Sequence, residues 1–176
     1  MAKKNDIFNY KNPKFEKLHA PMRELMDAFG SAERFFAHIK EVAWYDFGMR
    51  GLSDGIHRLE HLQPERVDVF ADGLRQLGLF VEYPPIEELT EPLPDLDRLF
   101  QVCVGIVDEI DLALSAFIAV AATGETGATA RIAEQLQVEN SGDRTKLLEA
   151  WSMWDRGGSA PGFDAWCARL FKGGEC

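Results

Sequence analysis

Residues 80–94, FVEYPPIEELTEPLP, separate two long stretches of helical periodicity, and that separation constrains the fold more than any other feature of the chain. Antiparallel neighbours in a bundle need only a few linking residues, whereas a proline-rich connection of this length can travel a bundle's full length. Apolar residues recur at spacings of three and four, and the strict alternation of a half-buried strand is not found. The expectation is therefore all-α: two long helices, a long crossover, two more long helices and a short terminal one.

The first helix is expected from about Pro21, a residue suited to a first turn, to about Phe47, with a break at Gly30-Ser31 and an apolar stripe of Met22, Leu25, Met26, Phe29, Phe36, Ala43 and Phe47. The second is expected over Ser53–Leu77, closed by Gly78 and kinked or restarted at Pro64, which lacks a backbone donor. The third, Asp95–Ala122, is apolar on most sides. Such a helix is central, or covered by another subunit. A turn at TGETG (123–127) leads to the fourth, Ala128–Trp154, and RGGSAPG (156–162) precedes FDAWCARLF (163–171). The domain division is a flexible basic tail (1–20), a four-helix bundle (21–155) and a C-terminal linker with a short helix (156–176).

A chain of 176 residues, 46% hydrophobic, buries a core without staples. Its net charge of -10 disfavours nucleic-acid binding by the main body. The five lysines of MAKKNDIFNYKNPKFEK leave only the N-terminal tail for such contacts. Three cysteines without CxxC spacing fit neither a disulfide framework nor a zinc ribbon. No secretory leader is visible, and LALSAFIAVAA (112–122) is too short to span a bilayer, so a cytoplasmic protein is expected.

Two sets of residues point to chemistry. At 100° per residue, His57, His61, Glu65, Asp68 and Asp72 share one face of the second helix, opposite Leu59, Leu62, Val69, Phe70, Leu74 and Leu77. Imidazoles and carboxylates converging at spacings of three and four are what a helical metal site requires. A charged solvent face has the same pattern, and the metal reading survives as a site completed by a second subunit. The second set is quieter. Glu139 and Asp143 fall on the fourth helix's apolar stripe, Glu33 and Lys40 lie among the first helix's apolar residues, and Glu60 borders the two faces of the second. Buried carboxylates need partners, so this set is either an acid-lined metal site or an ion-pair network such as Glu33, Lys40 and Glu139.

His57-Arg-Leu-Glu60-His61 also resembles the HxxEH motif of inverzincin metalloproteases, with Glu134 or Glu139 downstream as an imitation of the third ligand. Those enzymes need strands that this chain does not offer.

AWYDFGMRGLSDG (43–55), EHLQPERVDVFADGLRQLG (60–78), LFQVCVGIVDEIDLALSAF (99–117) and AEQLQVENSGDRTKLLEAW (133–151), with the long crossover between the second and third, resemble the four helices of the ferritin-like superfamily. The resemblance implies an oligomeric four-helix bundle that binds iron at paired carboxylates and oxidises Fe(II) for storage or oxidative-stress protection. Oxygen ligands suit ferric ion, a hard acid. Glu33 and Glu139 match the family's carboxylate ligands. The one Glu-x-x-His of the chain, Glu16-Lys-Leu-His19, is expected ahead of the first helix and outside the bundle, and Glu65-Arg-Val-Asp68 is the nearest equivalent in the second helix. Asp68-Val-Phe-Ala-Asp72 before Leu77-Gly78 is similar to the acidic pair of the intersubunit site in Dps-type mini-ferritins, with His57 and His61 as the histidine side and the lysine tail as a DNA-binding arm. The alternative expectation is a ferritin-like bundle without metal, a structural or adaptor subunit of a larger assembly. Trp151, Trp154, Trp166 and the C-terminal extension suit such a role.

Overall fold

A computed structural model describes residues 15–79, 92–122, 126–157 and 159–172. They form five helices: α1 (Glu16–Tyr45), α2 (Arg50–Gln76), α3 (Leu96–Ala121), α4 (Gly127–Asp155) and α5 (Ala160–Leu170). No strand occurs among the described residues, and no described helix is long and apolar enough to cross a membrane. The lysine-rich tail through residue 14, most of the 80–94 connection and residues 123–125 of the TGETG turn lie outside the described residues.

Tertiary burial overrides several local signals. α1 starts at Glu16, so Glu16-Lys-Leu-His19, expected ahead of the helix in the tail, forms its first turn. It runs unbroken through Gly30-Ser31, because Leu18, Met22, Leu25, Met26, Phe29, Ala32 and Phe36 are all buried on one face. That burial exceeds the ~1 kcal/mol that glycine costs inside a helix. α2 is likewise continuous through Pro64.

Helix ends follow capping chemistry. Asp95 accepts the Arg98 N–H at 2.7 Å and starts α3. α2 closes in a Schellman arrangement: Leu79 N–H reaches the Leu74 carbonyl and Gly78 N–H the Arg75 carbonyl. Gly78 takes the required left-handed conformation, with φ 72°. At its other end α2 has no side-chain cap of its own. Instead Asp164 of α5 accepts the Leu52 N–H at 3.0 Å, so a residue 112 positions away serves the α2 N-terminus.

α1 packs on α2 and α3, α4 packs on α3 and α2, and α5 packs on α2 and α4. Lys40 meets Glu60 across the α1–α2 joint. Trp151–Asp97, Arg144–Asp108 and Gln137–Ser115 pair α3 with α4 in opposite directions. Arg66–Asp143, together with Gly73 against Ile132, does the same for α2 and α4. α2 and α3 are therefore parallel, and Gln76 and Leu96 lie at opposite ends, roughly 35 Å apart at 1.5 Å per helical residue. Phe70 of α2 and Phe117 of α3 meet edge-to-face toward the C-terminal ends of both helices, with centroids 4.8 Å apart. Phe163 of α5 closes one end against Phe100 and Trp154.

Candidate functional site

The outer face of α2 carries the histidine and carboxylate stripe. His57, His61, Glu65, Asp68 and Asp72 are all exposed, as their helical projection requires. Val69, expected on the core side, is 51% exposed, while Gln63 and Arg66 are buried in the stripe Leu59, Gln63, Arg66, Phe70, Leu74.

At the inner edge of this face four titratable groups form one cluster. Lys40 Nζ donates to Glu60 Oε2 at 2.6 Å, and the same oxygen lies 2.9 Å from His57 Nδ1. His57 Nε2 lies 3.1 Å from His61 Nε2, with the rings 4.3 Å apart and nearly perpendicular. Burial alone would raise the Glu60 carboxyl, but the hydrogen bonds from Lys40 and His57 outweigh it and hold it below its ordinary value. A groove of about 230 Å³ opens beside the cluster, lined by Lys40, Glu41, Trp44, Tyr45, Ser53, Asp54 and His57. Tyr45 there is 76% exposed, and Arg50 lies over the Trp44 ring at 5.2 Å. The expected network of Glu33, Lys40 and Glu139 does not form, because the Lys40 ammonium is engaged by Glu60.

Between α2 and α4 a second polar group is enclosed. Asp143 is buried as its place on the α4 stripe required, and its partner is Arg66, whose Nη2 donates to Asp143 Oδ2 at 2.5 Å. Gln63 and Asn140 flank the pair, donating to the carbonyls of Leu59 at 2.8 Å and of Val107 at 2.9 Å. Glu139 lies at the rim: its side chain is 46% exposed and 3.9 Å from Arg66 Nε, and Gln135 donates to it at 3.2 Å. The buried stripe of α4 runs Leu136, Asn140, Asp143, Leu147 and Ala150, which turns Glu139 one position away from the core.

The remaining candidates stand apart. Glu33 is half-buried on α1, with no hydrogen-bond or ion-pair partner among the described residues. Asp72 pairs with Arg75 at 2.5 Å. Asp68 has no such partner among the described residues. Among those residues no three His, Cys, Asp or Glu side chains converge as a metal-binding group. The HxxEH residues do share α2, but Glu60 is held by Lys40 and His57. Cys103 is packed in the core, where burial raises its thiol far above the usual value. Burial, and secondarily the Asp164 carboxylate, pushes the Cys167 thiol up to about 12. Neither is a thiolate nucleophile at neutral pH. A larger groove of about 540 Å³ lies at the end of the α3–α4 pair, lined by Asp97, Gln101, Leu148, Trp151, Ser152 and Asp155.

Fold and site together define an all-helical protein with an ion pair closed into its interior and a histidine–carboxylate face on its exterior. The chain matches no protein-family model and no curated protein.

Proposed function

We propose that this chain is a ferritin-like four-helix bundle, with its crossover between α2 and α3, that works as a structural or adaptor subunit of a protein assembly rather than through an interior di-iron centre. The parallel course of α2 and α3 supports the topology. The Arg66–Asp143 pair carries the functional reading. A guanidinium, not a metal ion, faces Asp143, the buried carboxylate that the α4 stripe directs inward, and Glu139 at the rim faces the same arginine. Removing one partner of such a pair costs ~3–5 kcal/mol, so the interior is built around the arginine. Trp44, Tyr45 and the Trp151-lined groove provide aromatic surface suited to protein contacts. The test is Glu139→Ala: its stability, relative to the unsubstituted chain, should be the same with chelator and with Fe(II). A loss that appears only when metal is present would sink the proposal.

The second reading is an iron-binding protein that oxidises Fe(II) at a carboxylate-rich site. The exposed stripe of His57, His61, Asp68 and Asp72 favours it, since that face is free to meet a second subunit bearing further ligands. Ferric absorbance growing after Fe(II) and oxygen are added, with a chain that scatters light as an oligomer, would favour this reading over the first.

A further inference from the structure

We infer that His57 and His61 form a chelate for a borderline divalent transition ion of the Zn2+, Ni2+ and Cu2+ class, contained within one chain, with Glu60 as its positioning residue. This goes beyond both functional readings, since it needs neither an interior centre nor a second subunit. The two Nε2 atoms are 3.1 Å apart, on successive turns of α2. An ion about 2.0–2.1 Å from each nitrogen would be held at an angle of about 100°, within the range of tetrahedral and square-planar shells.

The cluster also selects the tautomer that such an ion needs. When His57 Nδ1–H donates to Glu60 Oε2, the His57 Nε2 lone pair is bare and directed at His61. This is the carboxylate–histidine–metal arrangement that fixes ring orientation and raises imidazole basicity. Lys40 donates to the same Glu60 oxygen and pins the carboxylate from the α1 side. The 3.1 Å approach of Lys40 Nζ to His57 Nδ1 is then two donors sharing one acceptor. Without an ion, one Nε2 must carry a proton to bond the other, so a bound cation replaces that shared proton.

Selectivity follows from the donors. Two imidazoles favour borderline ions, in the order Cu2+ above Ni2+ above Fe2+ above Mn2+, and offer nothing to Mg2+ or Ca2+, which require oxygen ligands. No third protein side chain closes the shell among the described residues, so water fills the remaining positions.

Zn2+ titration of the full chain by calorimetry tests this, with His57→Gln, His61→Gln, Glu60→Gln, Glu60→Asp and the surface control Glu149→Gln on α4. One Zn2+ per chain is expected, with at least a tenfold loss of affinity in either histidine variant and none in Glu149→Gln. Both histidines are exposed, and the circular dichroism of each variant should match that of the wild type. Glu60→Gln should weaken binding by about tenfold. Glu60→Asp, which keeps a carboxylate at this position, should recover part of that loss. An affinity in Glu60→Asp no better than in Glu60→Gln would make Glu60 merely structural and overturn its assignment. Zn2+ affinity that survives His61→Gln, or Mg2+ competing at equal concentration, would overturn the chelate.

Discussion

Arg66 decides more about this molecule than any histidine does. It is 4% exposed, and its guanidinium meets Asp143 from the facing helix. Asp143→Ala should therefore destabilise the chain by about 3–5 kcal/mol in urea unfolding, while Arg66→Leu combined with Asp143→Leu should recover most of that loss. The signal was available in the sequence. Leu59, Gln63, Arg66, Phe70 and Leu74 step by four and three along α2, and Asp143 occupies the equivalent stripe on α4. Projection places Asp143 correctly, but assigning the α2 core to Leu62 and Val69 turns that stripe too far and leaves Arg66 unnoticed. Glu139 errs the same way, one position off the stripe. Glu60 provides a pH-dependent check. Its carboxyl, lowered in the folded state, contributes stability above its ordinary value of 4.5, and that contribution is lost as pH falls through the lowered value. Wild-type stability should thus fall more steeply than that of Glu60→Gln below pH 4.5.

At the scale of elements, the order and type of the five described helices were legible because apolar residues recur at spacings of three and four, most weakly in α4, whose buried stripe includes Asn140 and Asp143. Their boundaries were less so. Local punctuation at Gly30 and Pro64 suggested breaks, and packing of the buried faces carries the helices through both. The docking of α5 could not be read locally, since it joins residues more than a hundred positions apart. Gly51 and Gly55 permit it: a Cβ on Gly51 would overlap the Asp164 carbonyl oxygen, and one on Gly55 would overlap the Phe171 ring. Gly51→Ala should release α5 before the rest unfolds, seen as an early urea transition in Trp166 fluorescence. Asp164→Ala, which removes only the borrowed cap, should cost about 1 kcal/mol. Equal behaviour of the two variants would contradict the close-approach argument.

At the scale of the whole molecule, the direction of the four long helices follows from where their side chains meet, and the crossover is a consequence of α2 and α3 running parallel. Phe70 and Phe117 are fully buried against each other, and Phe117→Ala should cost about 3–5 kcal/mol with no change in helical content at low denaturant. Under the proposed structural role, the buried Asp143 carboxylate is matched by a guanidinium rather than reserved for a metal. The most direct measurement is urea unfolding of the wild type, Asp143→Asn and His61→Gln, each with chelator and with Fe(II). The account predicts that any stabilisation by metal vanishes in His61→Gln and persists in Asp143→Asn. Stabilisation by Fe(II) that survives His61→Gln and disappears in Asp143→Asn would contradict it.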